Sequence, residues 1–141
     1  KNGTGWGVGT AFVFSLFQLL QGVMSGNVFP YCQTLAIVIL CVAFDYIVPF
    51  TVLGFAAVGK KKFGMAGVYV GIVAVCFIRF LCHYITGVFI WGQWAPEGMA
   101  KALYSLLYNG QYMLPETILT LVAAVLLLRA KPIQKLMGLT K

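Results

Sequence analysis

Residues Gly64 to Trp91 read G-M-A-G-V-Y-V-G-I-V-A-V-C-F-I-R-F-L-C-H-Y-I-T-G-V-F-I-W. The run is almost wholly apolar and exceeds the roughly 20 residues that carry a helix across a bilayer. Yet it holds Arg79 and His83, four residues apart and therefore on one helix face. An ionisable side chain at membrane depth is costly and marks a candidate site. Thr86 and Gly87 continue the same face, and Trp91 lies about two turns further on. From Arg79 onward to Glu116 the chain gathers its only histidine, two of its three tryptophans and two of its three acids. A cluster of His, Trp, Tyr, Asn and Glu near one membrane face reads as a pocket for a small aromatic or cationic ligand.

Three more segments match the first: Trp6 to Met24, Gln33 to Val58 and Tyr112 to Arg129. The chain is 61% hydrophobic and 9% charged over 141 residues, with a mean hydropathy of +0.92. A soluble domain does not carry that much apolar surface. The runs are continuous, unlike the alternating ten-residue strands of a membrane barrel. The expected fold is all-α: a polytopic transmembrane helix bundle with four spans, forming a single integral membrane domain over residues 1–141.

Charge sets the expected orientation. The net charge of +7 is concentrated at Lys60, Lys61 and Lys62 between the second and third spans, and at Arg129, Lys131, Lys135 and Lys141 after the last. Lys1 precedes the first span. Four crossings bring all three groups to one side, which the positive-inside rule makes cytoplasmic. Both termini are then inside, and the loops Gly26 to Cys32 and Gly92 to Gln111 are outside. The location expected is the cell (inner) membrane, with lipid as surroundings. The lysines flank spans and form no aromatic-interleaved patch, which argues against nucleic acid. The opening K-N-G-T-G-W-G has no initiator Met and no signal-peptide pattern, and reads as a chain with more protein upstream.

Enzymatic chemistry finds little support. Cys32, Cys41, Cys76 and Cys82 form no C-x-x-C pair and no metal-ligand spacing, and the three within apolar spans read as small hydrophobes. No metal site and no catalytic residues are expected. A G-x-x-x-x-G-K-[ST] nucleotide loop does not occur, and the single His has no paired nucleophile.

Several polar residues have two readings. Asp45, in A-F-D-Y-I-V-P-F, either pairs with Arg79 or faces a ligand, and one carboxylate can do both. Pro49, one turn later, frees a backbone carbonyl and bends the helix, which is tolerated where helices line a cavity. His83 is a core histidine or a ligand contact. Trp94 reads as an interfacial anchor, and Trp91 divides between anchor and ligand. Tyr104 and Tyr108 share a face of a short amphipathic piece, Met99 to Leu107. Asn109-Gly110 signals a turn, with Asn109 as its cap. Pro115 and Glu116 suit the first turn of the last helix, Glu116 as a capping acid before a ligand. Gly3, Gly5, Gly7 and Gly9 allow close helix packing.

The run R-F-L-C-H-Y-I-T-G-V-F-I-W, then W-A-P-E-G-M from Trp94, then Y-S-L-L-Y-N-G-Q-Y-M-L-P-E from Tyr104 resembles the thiamine-specific S component of energy-coupling factor transporters. Asp45-Tyr46 resembles that family's acidic-aromatic pair, and K-N-G-T-G-W-G-V-G-T-A its Gly-rich turn into the third of six helices. The resemblance implies that this chain spans helices three to six. It implies no enzyme activity and no cofactor in this chain. It implies instead capture of thiamine from outside, with import driven by a transmembrane T subunit and two ATPase subunits that use ATP. Asp45, His83, Trp91, Tyr104 and Asn109 are the ligand residues so implied, with Arg79, Tyr46, Tyr108 and Glu116 as secondary candidates. Two alternatives stay open: an S component for another vitamin or a pyrimidine-type ligand, and an intramembrane ion or proton relay through Arg79, His83 and Asp45.

Overall fold

The computed structural model describes residues 3–136, so Lys1 and Lys141, used above for orientation, lie outside the described residues. Four helices are long and apolar enough to cross a membrane: α1 (Gly3–Ser25), α2 (Leu35–Phe55), α3 (Lys60–Phe89) and α4 (Lys101–Arg129). A short helix, α5 (Lys131–Leu136), follows. Among the described residues there is no strand. The helices pack in sequence order, α1 against α2, α2 against α3, and α3 against α4. The protein is a multi-pass membrane bundle, as its apolar runs require.

Two spans have a different start from the one expected. The triple lysine, expected in a loop, forms the first turn of α3, and Gly64 breaks that turn from the rest of the helix with φ 59° and ψ −140°. Positive φ costs glycine little, so the helix redirects there without strain. The larger difference concerns Gly92 to Gln111. Only the stretch up to Ala100 lies between the spans, and α4 runs unbroken from Lys101 through Asn109-Gly110 and Pro115. The separate amphipathic piece, the turn at Asn109 and the late start at Tyr112 are thus corrected. Asn109 is no cap: it is buried, and its amide nitrogen donates to the carbonyl of Ser105 one turn back, at 3.0 Å. Packing against α3 overrides its turn preference. Pro115 lies inside the helix and Glu116 is no capping acid.

Pro49 behaves as expected. It is fully buried in α2, and the helix departs from α geometry on both sides of it. A π-helical turn spans Val42–Ile47 and a 3-10 turn spans Val52–Phe55. Proline has no N–H for the carbonyl four residues back, which belongs to Asp45. Wide turns of this kind recur at functional sites, and this one carries Asp45.

Glycines decide where helices meet. A Cβ on Gly7 would stand 2.8 Å from the Gly54 carbonyl oxygen, so α1 and α2 touch backbone to backbone. Gly3, Gly5 and Gly9 have nothing within 4 Å of such an atom, so only one of the four early glycines serves packing here. An apolar core of Val68, Ile72 and Cys76, with Ala56, Met65, Leu121, Ala124 and Leu128, fills the end of the bundle near the triple lysine. The polar side chains gather towards the other end.

Candidate functional site

The site residues fall into two layers. The inner layer centres on Asp45, whose carboxylate gathers donors from three elements. His83 Nδ1 on α3 lies 3.0 Å from Oδ1. The Thr86 hydroxyl, one turn along α3, donates to the same oxygen. The Trp91 indole Nε1–H, from the 3-10 turn Trp91–Trp94, donates to Oδ2 at 2.9 Å. The Cys41 thiol adds a weak contact to Oδ2 at 3.7 Å. The Asp45 and His83 side chains are each 13% exposed. In the neutral tautomer whose Nδ1–H donates to the carboxylate, Nε2 of His83 is an acceptor.

Asp45 therefore does not pair with Arg79. Arg79 Nη1 bonds Glu116 Oε1 of α4 at 2.6 Å, and its guanidinium lies 5.0 Å over the ring of Phe50. The correction is geometric: one helical turn separates Arg79 from His83, and α2 offers Phe50 to the first and Asp45 to the second. Phe50 stands edge-on to His83 at 6.3 Å, between the two charge clusters. The Arg79 side chain is 14% exposed and that of Glu116 46%, so the pair is mostly withdrawn on one side only. Removing one partner strands a charge, whereas removing both need not. Glu116→Ala is expected to destabilise the bundle by about 2 kcal/mol, and Arg79→Met combined with Glu116→Leu by less. Thermal unfolding in detergent compares them; a double variant worse than the single one contradicts the assignment.

Asn109 completes the inner layer from α4. Its Nδ2 reaches the His83 carbonyl at 3.2 Å and its Oδ1 accepts from the Tyr112 hydroxyl at 2.9 Å. Ser105 Oγ donates to the Tyr84 carbonyl at 2.8 Å. The bonds to the His83 and Tyr84 carbonyls span the α3–α4 seam, where a Cβ on Gly87 would collide with Ser105 Oγ.

The outer layer is an open cleft of about 410 Å³ lined by Asn27, Val28, Tyr31, Trp91, Trp94, Tyr104 and Tyr108. Its walls are the α1–α2 loop, the α3–α4 loop and the start of α4, all at the end of the bundle away from the triple lysine. The volume lies in the roughly 300–1,000 Å³ range of small-molecule pockets. Tyr31 meets Trp94 edge-to-face at 4.8 Å, Trp91 lies 6.4 Å from Trp94, and Tyr104 stacks on Tyr108 at 5.8 Å.

Of the implied ligand residues, Trp91 and Tyr104 line the cleft, whereas Asp45, His83 and Asn109 belong to the layer behind it. Trp91 belongs to both. Among the secondary candidates Tyr108 lines the cleft, and Arg79 and Glu116 form their own pair. Tyr46 turns to α1, stacked 6.0 Å from Phe29 with its hydroxyl against Gly22. Sequence reasoning missed Asn27, Val28 and Tyr31 as lining residues, and Trp94, read as an anchor, lines the cleft as well. The available signal was topological: Tyr31 sits in the loop that four alternating crossings bring to the side of Trp91.

The fold and cleft together define a multi-pass integral membrane protein with an aromatic site at one end of its bundle. A family model described as thiamine transporter protein (Thia_YuaJ) matches residues 1–136, and the chain belongs to that family. It is 31% identical over 133 residues to the thiamine transporter ThiT of Lacticaseibacillus paracasei, covering 86% of this chain and 62% of that protein. It is 30% identical over 141 residues to the thiamine transporter ThiT of Bacillus subtilis strain 168, covering 90% of this chain and 69% of the relative. The chain thus spans about two thirds of the length of these relatives. Both are named as transporters, not as enzymes. No solved structure matches the chain.

Proposed function

We propose that the chain is the thiamine-capturing part of a vitamin uptake transporter of the energy-coupling factor type. The observation that carries this reading is the double role of Trp91, which lines the cleft while its indole N–H rests on the Asp45 carboxylate. Thiamine joins a permanently cationic thiazolium to a flat aminopyrimidine. Aromatic faces attract a desolvated cation by about 2 kcal/mol, and a carboxylate one layer back adds attraction for the same charge without needing to touch it. Asp45, His83, Trp91, Tyr104 and Asn109 form the binding set in this proposal. Trp91 and Tyr104 meet the rings, His83 Nε2 offers an acceptor, and Asn109 holds the His83 backbone.

The membrane orientation belongs to the same proposal. Lys60, Lys61 and Lys62 face the cytoplasm and the cleft opens outside, so the vitamin enters from the medium. The chain carries no nucleotide-binding loop, so a T subunit and two ATPase subunits would supply the energy. Binding by this chain would be stoichiometric, without turnover. The relay alternative is weaker, because the Asp45 cluster is bonded to the cleft tryptophan and separated from Arg79 by Phe50.

Titrating the chain in detergent with thiamine, while following tryptophan emission, tests the proposal. Saturable quenching is expected, and Trp91→Phe should remove most of it while weakening binding by about tenfold, the effect of one lost hydrogen bond to a charged group. Unchanged emission together with no heat of binding would count against thiamine as the ligand.

A further inference from the structure

Thr86 is fully buried and has three acceptors near its hydroxyl. These are the Cys82 carbonyl at 3.5 Å, the His83 carbonyl at 3.1 Å and, closest of all, Asp45 Oδ1. A threonine inside a helix ordinarily gives its single proton to a carbonyl of the preceding turn. Here the His83 carbonyl already accepts from the Asn109 amide at 3.2 Å, and the Cys82 carbonyl is the most distant of the three. The carboxylate is the better acceptor as well as the nearest, since a hydrogen bond to an ionised oxygen is about twice as strong as a neutral one. The proton therefore goes to Asp45.

From this we infer that Thr86 is a positioning residue of the binding site: it fixes the rotation of the Asp45 carboxylate, and through it the orientation of His83 and Trp91. The division of donors explains why one hydroxyl has that reach. Oδ1 is held by two α3 side chains one turn apart, His83 and Thr86. Oδ2 is left for Trp91 and Cys41. The π-helical turn that carries Asp45 sets where the carboxylate stands, but not how it is turned about its own axis. With Thr86 gone, Oδ1 keeps His83 as its single donor while Trp91 and Cys41 stay on Oδ2, so the carboxylate is held less tightly and the orientations of His83 and the cleft-lining Trp91 loosen with it. Thr86 itself lies behind the cleft and acts only through these neighbours.

This inference rests on the thiamine reading for its binding arm, and a second readout keeps it separable. His83 is the only histidine in the chain, so its side-chain nitrogen resonances are unambiguous in a nitrogen-15 histidine-labelled sample. In the wild-type chain they should report a protonated, slowly exchanging Nδ1. Thr86→Val, which keeps shape and deletes the donor, should broaden or lose that signal and weaken thiamine binding by about tenfold. A neutral aminopyrimidine alcohol should be affected less, because loosening of the carboxylate weakens attraction for charge. Thr86→Ser should restore both properties. An unchanged His83 signal in Thr86→Val overturns the inference, as does an equal loss for both ligands that Thr86→Ser fails to rescue. A wild-type chain that ignores thiamine overturns the proposed function alone, and the nitrogen signal then still decides the role of Thr86.

Discussion

In the proposed thiamine site, Asp45→Ala will weaken binding by about 100-fold, on the order of 3 kcal/mol. Two losses add. The negative charge behind the cleft disappears, and with it the attraction for a cation. The donors of His83, Thr86 and Trp91 then face a cavity where they shared one carboxylate, and each buried donor left alone costs free energy. Asp45→Asn separates the two effects, because it keeps volume and an acceptor oxygen but not the charge. It should discriminate against thiamine far more than against a neutral pyrimidine analogue. Calorimetry with both ligands decides: equal losses would mean that Asp45 serves the fold and not the ligand's charge.

Gly87→Val will destabilise the bundle by about 3 kcal/mol, the upper part of the range for forced overpacking. The added Cβ would stand 2.8 Å from the Ser105 Cβ and 3.0 Å from Asn109 Nδ2, besides colliding with Ser105 Oγ. The α3–α4 seam would open where Ser105 bonds the Tyr84 carbonyl and Asn109 the His83 carbonyl. Binding should fall along with the melting temperature, because the same seam sets the His83 backbone. A Cβ on Gly110, one residue after Asn109, would have nothing within 4 Å, and Gly110→Ala should leave stability unchanged or raise it by up to about 1 kcal/mol. Matching melting temperatures for the two variants would show that the seam is not close-packed at Gly87.

Much of the site was legible because cost marks it. Ionisable side chains are rare in an apolar span, so Asp45, Arg79 and His83 stand out of the sequence as soon as the spans are drawn, whereas Thr86 only continues the face of Arg79 and His83. Trp91 and Tyr104 follow from the family resemblance. What spacing hides is azimuth. Periodicity says that Arg79 and His83 share a face, but not which neighbouring helix each one meets. That is why spacing alone leaves Asp45 as a partner for Arg79, whereas α4 supplies Glu116 and α2 supplies Phe50. Local signals also mislead at Asn109-Gly110 and Pro115, where turn preference worth about 1 kcal/mol is outweighed by a buried amide that bonds the His83 carbonyl across the seam and Ser105 and Tyr112 along it.

The sequence by itself determined the class of protein and its four spans, because an apolar run long enough to span a bilayer has no other stable place. It also determined which side chains are expensive enough to need partners. Only the tertiary structure decided who those partners are. It gave Asp45 to His83, Thr86 and Trp91, gave Glu116 to Arg79, and joined the loop of Tyr31 to that of Trp94 as the walls of one cleft. The reason is that hydrogen bonds and ring contacts depend on positions within a few ångströms, which the rotation and approach of whole helices set, and those are fixed where a glycine such as Gly7 lets two backbones close, or one such as Gly87 admits the side chains of the facing helix.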